Sequence, residues 1–183
     1  MKGEIMKDKV LDFWFRELEP KNWYMKDDAL DERISSLFLE TYNQAIRGEL
    51  FTWRDSIEGR LAEIIVLDQF SRNIFRNDAK AFQYDCIALT LSQEASRRTD
   101  AKSLDLEKRA FLYMPYMHSE SLRVHEEAVK LFSEPGLESS LKFEIKHKNI
   151  IERFGRYPHR NKVLGRTSTA EEVTFLMEPG SSF

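Results

Sequence analysis

Apolar residues along the chain recur at spacings of three and four, the pattern of helices that bury one face. From about residue 27, Leu30, Ile34, Leu37, Phe38 and Ala45 follow that spacing, and Gly48 lies just past the end, where a helix stop belongs. The segment over about 7–18 holds Val10, Leu11, Phe13, Trp14 and Phe15, too apolar for a free helix, and is assigned to the core. A third helix is predicted over about 57–70 and a fourth over about 78–97, with Asp78 as its N-cap. A fifth, over about 103–114, is expected to stop near Pro115. A sixth, over about 119–132, ends at Ser133-Glu134-Pro135-Gly136, and a seventh, over about 137–154, ends at Gly155. The capping signature Ser168-Thr169-Ala170-Glu171 starts a short last helix.

No linker, low-complexity tract or fixed-period repeat breaks this pattern. The expectation is a single all-α domain over 1–183, with seven to eight helices joined by short connections into antiparallel hairpins. Composition agrees, because 13 Phe, 6 Tyr and 3 Trp supply a core while 7 Gly and 5 Pro leave little for the turns of an all-β fold. At this length roughly 70% of the unfolded surface can be buried.

Charge narrows the partners. Lys and Arg total 28 against 31 Asp and Glu, so the overall field gives a polynucleotide nothing to grip. No apolar run approaches the ~18 residues of a membrane span, and the start Met1-Lys2-Gly3-Glu4 has no secretory stretch. A cytoplasmic protein without a membrane partner is expected. The lone Cys86 fits a reducing compartment; four residues after Phe82 and three before Leu89, it is expected to be a buried thiol rather than a nucleophile.

Several polar residues fall where a bland helical core would place apolar ones. Asp68 lies three, four and seven residues beyond Ile65, Ile64 and Leu61, so it should face inward, with Arg72 one turn further on. A buried carboxylate must be paired or hydrogen-bonded. His147 takes the same kind of position among Phe143, Ile150, Ile151 and Phe154. After that helix the basic loop Arg153-Phe154-Gly155-Arg156-Tyr157-Pro158-His159-Arg160-Asn161-Lys162, with Arg166 close behind, leads to the start of the last helix. Arginines beside a helix N-terminus suit a carboxylate or phosphate. In Met117-His118-Ser119-Glu120, Ser119 can cap the sixth helix and Glu120 can lie in its first turn, while His118 has no structural duty.

Each feature has a plain structural reading as well: a satisfied core histidine, a solvated basic loop, a capped helix. Taken together they point to one site. Asp68 with His147 is assigned acid–base work, the carboxylate orienting the ring, on the assumption that their helices adjoin. Arg72, Asn73, His118, Glu120, Arg156, His159, Arg160 and Asn161 are assigned to binding a small anionic molecule. No metal is assigned, because His118, Glu120 and His147 lack a diagnostic ligand spacing, and no cofactor is called for, since no nucleotide-binding loop occurs. The rival expectation is a scaffold whose concave helical surface holds a peptide or protein segment, with the polar set as internal struts.

The stretches Leu67-Asp68-Gln69-Phe70-Ser71-Arg72-Asn73-Ile74-Phe75-Arg76, Met117-His118-Ser119-Glu120 and Phe154-Gly155-Arg156-Tyr157-Pro158-His159-Arg160-Asn161 resemble a bacterial domain-of-unknown-function family. So do Leu164-Gly165-Arg166-Thr167-Ser168-Thr169 with Glu171-Glu172, the opening Val10-Leu11-Asp12-Phe13-Trp14-Phe15, and Trp23-Tyr24. The resemblance spans nearly the whole chain. It implies an all-α, tetratricopeptide-like stack of helix hairpins and adds no activity, substrate or catalytic residue; folds of this kind most often bind peptides or proteins.

Overall fold

The computed structural model describes residues 2–182, and the side chains of residues 6–182; the first and last residues of the expected domain lie outside the described residues. The chain is all-α, with no strand among the described residues. Helix α1 (Lys2–Asp12) runs into a π-helical turn (Phe13–Glu17) and is followed by α2 (Asp28–Ile46). Asp27 caps α2 by accepting from the backbone of Ala29 and Leu30. Helix α3 (Ile57–Ile65), a π-helical turn (Val66–Phe70) and α4 (Ser71–Ile74) form one continuous helical body. Its start is fixed by Ser56, whose Oγ accepts from Gly59 N at 3.1 Å. Only glycine fits there, since a Cβ at Gly59 would stand 1.9 Å from the Trp53 carbonyl oxygen.

The predicted fourth helix is broken. Asp78 caps a short 3₁₀ turn (Ala79–Phe82), and α5 (Asp85–Ser96) starts afresh after Gln83 and Tyr84. The break rotates the register, so Cys86 is exposed rather than buried. Helix α6 (Leu106–Met117) also departs from expectation, because Pro115 lies inside its last turn instead of ending it. Proline there removes a hydrogen bond. The last turn keeps its shape because every residue from Phe111 to Met117 is buried.

Helix α6 is buried on all sides there because it is central: α3, α5, α7 (Leu122–Phe132) and α8 (Glu138–Phe154) all pack on it. It therefore packs both on α3, whose π-helical extension carries Asp68, and on α8, which carries His147. Helix α7 starts after Ser121, later than expected, and Ser119 and Glu120 belong to the connection before it. Helix α8 ends at Gly155, whose φ of 69° is left-handed. The turn Pro158–Arg160 follows, and α9 (Ala170–Phe175) opens on a capping box formed by Thr169 and Glu172. Two apolar clusters result. The larger spans α1 to α7, and the smaller holds Ile150, Ile151, Tyr157 and Phe175.

Candidate functional site

Polar side chains gather between the two apolar clusters. Asp68 lies in the π-helical turn that follows the buried Leu61, Ile64 and Ile65, and its carboxylate is buried with them. Such turns inside α-helices are frequent at functional sites. Oδ1 meets His118 Nδ1 at 2.8 Å and Oδ2 accepts from Gln69 Nε2 at 2.6 Å. Arg72, one turn on, donates to the Asp68 backbone carbonyl and places Nη1 3.3 Å from Oδ1. Burial opposes ionisation of Asp68, but the His118 ring and the Arg72 guanidinium outweigh it and hold the carboxyl well below the usual range. Burial, aided by Arg72, lowers the His118 pKa despite Asp68 beside it. The pair is therefore a carboxylate and a neutral imidazole whose Nδ1–H donates to Asp68, which leaves Nε2 as the basic nitrogen. That ring retains 16% side-chain exposure, and its Nε2 makes no hydrogen bond among the described residues.

Beside the pair stand two guanidinium groups. Arg72 forks onto Asp85 at 3.1 and 2.9 Å, and Arg160 Nη1 reaches the same carboxylate at 3.3 Å. Both cations sit over the Phe82 ring, at 5.4 Å for Arg72 and 4.5 Å for Arg160, and Arg160 also lies 4.7 Å from the Tyr157 ring centre. The Arg160 side chain is 6% exposed, yet its Nε meets no acceptor among the described residues. Burial, and then the charge of Arg72, lower its pKa.

Tyr157 organises the other side. Launched by the left-handed Gly155, it donates its backbone N–H to Glu120 Oε1 at 2.8 Å and its hydroxyl to the Met117 carbonyl at 2.6 Å. The rings of His125, His147 and His159 pack on it at centroid distances of 6.3, 5.8 and 5.6 Å. His125 is fully buried, with Nδ1 2.7 Å from Glu144 Oε1 and Nε2 2.8 Å from the Ser119 carbonyl oxygen. Burial raises the Glu144 pKa. Burial likewise lowers His147 to about 3, and burial with Arg160 lowers His159 to about 4. All four histidines of the chain thus stand in this region.

The residues singled out in the sequence divide into two sets. Asp68, Arg72, His118, His159 and Arg160 come together. Asp68 does not pair with His147: its Oδ1 is taken by His118, and His147 Nδ1 bonds to the Phe143 carbonyl oxygen at 2.8 Å. Phe143, expected on the same inward stripe, is 55% exposed, and Glu144 takes the inward position. Asn73 turns away to Asp31 on α2. Arg156 forks onto Glu172 at 2.6 and 2.8 Å, Glu120 receives Arg166 at 2.6 and 2.9 Å, and Asn161 bridges Arg166 and Ser168. These three brace the loop that carries Tyr157 and Arg160.

Sequence reading missed Gln69, Phe82, Asp85, His125, Glu144 and Tyr157. A signal existed for some of them: Asp85 opens the stripe Ala88, Ser92, Ala95, and Glu144 lies seven residues from both Leu137 and Ile151. Two surface cavities, of about 490 and 410 Å³, lie elsewhere, the first between Ser96, Tyr113 and Glu134, the second over Phe143 on α8. Among the described residues no three or more His, Cys, Asp or Glu side chains are grouped to hold a metal ion, and no helix is long and apolar enough to cross a membrane.

No curated protein is similar enough to match this chain. The solved structure of a protein of unknown function from Agrobacterium tumefaciens is similar, with 34% sequence identity and a TM-score of 0.90 over 95% of this chain and 98% of that one. The sequence also matches, over residues 10–180, the family described as bacterial protein of unknown function, DUF924. A match of that extent, together with a relative at that identity, establishes that the chain belongs to this bacterial family.

Proposed function

We propose that the protein binds a small anionic molecule at Arg72 and Arg160, with the Asp68–His118 pair handling a proton beside it. The observation that carries this reading is the state of Arg160. A guanidinium has five N–H donors. This one, almost wholly removed from water, has a single hydrogen bond among the described residues, at 3.3 Å, to a carboxylate that Arg72 already holds by two. Arg72 is balanced by the carboxylates of Asp68 and Asp85, whereas Arg160 has only its long contact with Asp85 and an Nε–H without an acceptor among the described residues, a donor that a bound anion would satisfy. His159 borders them and supplies further hydrogen bonding.

The acid–base role, assigned from sequence to Asp68 with His147, falls instead to Asp68 with His118. Asp68 fixes the ring and its tautomer, so Nε2 is left as a base pointed away from the carboxylate. His147, neutral and packed on Tyr157, then serves to position the loop. The tetratricopeptide-like scaffold reading keeps one supporting observation, the internal pairing of Arg156, Glu120 and Asn161, which makes that part of the loop strut rather than site. A cytoplasmic setting suits an exposed lone Cys86, which stays reduced there.

A thermal-shift screen of small anionic metabolites tests the reading. An anion at about 100 times its dissociation constant should add roughly 2.7 kcal/mol to stability. Arg160→Gln should abolish that gain with the fold retained. A broad panel that stabilises neither protein would sink the proposal.

A further inference from the structure

Arg72 and Arg160 do not stand open to solvent, because a carboxylate of the chain itself sits on them. Asp85 accepts from both Nη atoms of Arg72, at 3.1 and 2.9 Å, in the planar fork that arginine makes with any carboxylate. It meets Arg160 by one longer contact of 3.3 Å that leaves Nε without an acceptor. The acid is as open as Arg72, both with 20% side-chain exposure, and more open than Arg160 with 6%. Asp85 also occupies a place from which it can leave. It lies in the first turn of α5, directly after the Gln83–Tyr84 break, and no side chain caps that helix start. An uncapped first turn opens at small cost.

We infer that Asp85 is a built-in stand-in for the carboxylate of the ligand, which displaces it from Arg72 and Arg160 on binding. The inference rests on the anion-site reading and narrows it to molecules bearing a carboxylate. A planar group of single charge reproduces what Asp85 already does between the two guanidiniums, and a tetrahedral dianion does not. Displacement also has a thermodynamic signature. The ligand binds only the fraction of molecules from which Asp85 has swung away, so its apparent affinity is reduced by that fraction, and removing Asp85 restores the intrinsic value.

The test titrates the full-length wild type, Asp85→Ala and Asp85→Asn with acetate and, separately, with inorganic phosphate, by calorimetry and thermal melting. Both variants should bind acetate about tenfold more tightly than the wild type, or better. Phosphate should gain less than acetate, and acetate should restore the melting temperature that Asp85→Ala loses. Adding Arg160→Gln to either variant should remove the acetate binding. Should Asp85→Ala fail to fold, Asp85→Asn, which keeps the side-chain volume, carries the comparison. If the folded variants bind acetate no better than a wild type that still binds either anion, the stand-in role is overturned and the anion site survives. A gain for phosphate that equals or exceeds that for acetate overturns the carboxylate assignment. If neither anion binds any of the proteins, both readings fall together.

Discussion

The carboxylate of Asp68 meets Nδ1 of His118 at 2.8 Å across fifty positions of sequence, at the point where a π-helical turn faces the C-terminal end of α6. Because the Asp68 carboxylate is buried and the His118 ring half-buried, Asp68 is tolerated only while its partners are present. Asp68→Ala should cost about 3–5 kcal/mol in urea denaturation, the usual penalty for removing one partner of a buried ion pair, here the one with Arg72. A loss under about 1 kcal/mol would show that Asp68 is not held there as a charge.

Stability should rise with pH through the histidine range. His147, lowered to about 3, and His159, lowered to about 4, are neutral in the fold, whereas in the unfolded chain each titrates near 6.5. Below that value the unfolded state takes up protons that the folded state refuses, so stability falls with acidification and levels off above about pH 7. Each histidine should account for about 2 kcal/mol between about pH 7 and pH 5. His147→Gln, measured by denaturation across that range, should remove its share of about 2 kcal/mol from the change; an unchanged slope would mean that His147 protonates freely in the folded protein.

The Tyr157 hydroxyl ties the loop after α8 to the end of α6 through the Met117 carbonyl and lies 3.2 Å from His125 Nε2. Tyr157→Phe keeps the ring and removes these bonds, for an expected loss of about 1–2 kcal/mol. If the hydroxyl is only a strut, anion affinity measured by calorimetry should stay within about twofold, since 1.4 kcal/mol is needed for tenfold.

Arg156 and Arg160 lie four residues apart and should behave oppositely. Arg156→Ala breaks the fork to Glu172 and should lower the melting temperature without weakening the response to anions. Arg160→Gln should do the reverse, removing the anion response while the melting temperature is kept. The thermal-shift assay reads both quantities at once, and a matching pattern for the two variants would contradict the division of the loop into brace and site.

How much of this was legible in the sequence depended on the reach of the interaction. Local rules served well: the cap at Asp27, the stop at Gly155 and the inward turn of Asp68 follow from backbone chemistry and spacing within one helix. Errors arose where an apolar residue and a polar one competed for the same face. On α8 the stripe through Phe143 looked like core, but His125 on α7 pairs with Glu144 Oε1, so Glu144 is buried and Phe143 is left outside. Cys86 was misplaced because one helix was assumed across the break at Gln83 and Tyr84. The Asp68–His118 pair could not be read at all, since it depends on the end of α6 meeting the helical body that carries Asp68, a tertiary fact that no spacing encodes.

The most direct measurement follows the Nε–H resonance of Arg160 in isotope-labelled protein, identified by its loss in Arg160→Gln, while acetate is added. The account predicts a saturable shift of that resonance together with the one from Arg72, as the added carboxylate takes up the contacts that Asp85 gives up. An Arg160 resonance that stays fixed while acetate, and then phosphate, is raised to high concentration would contradict it.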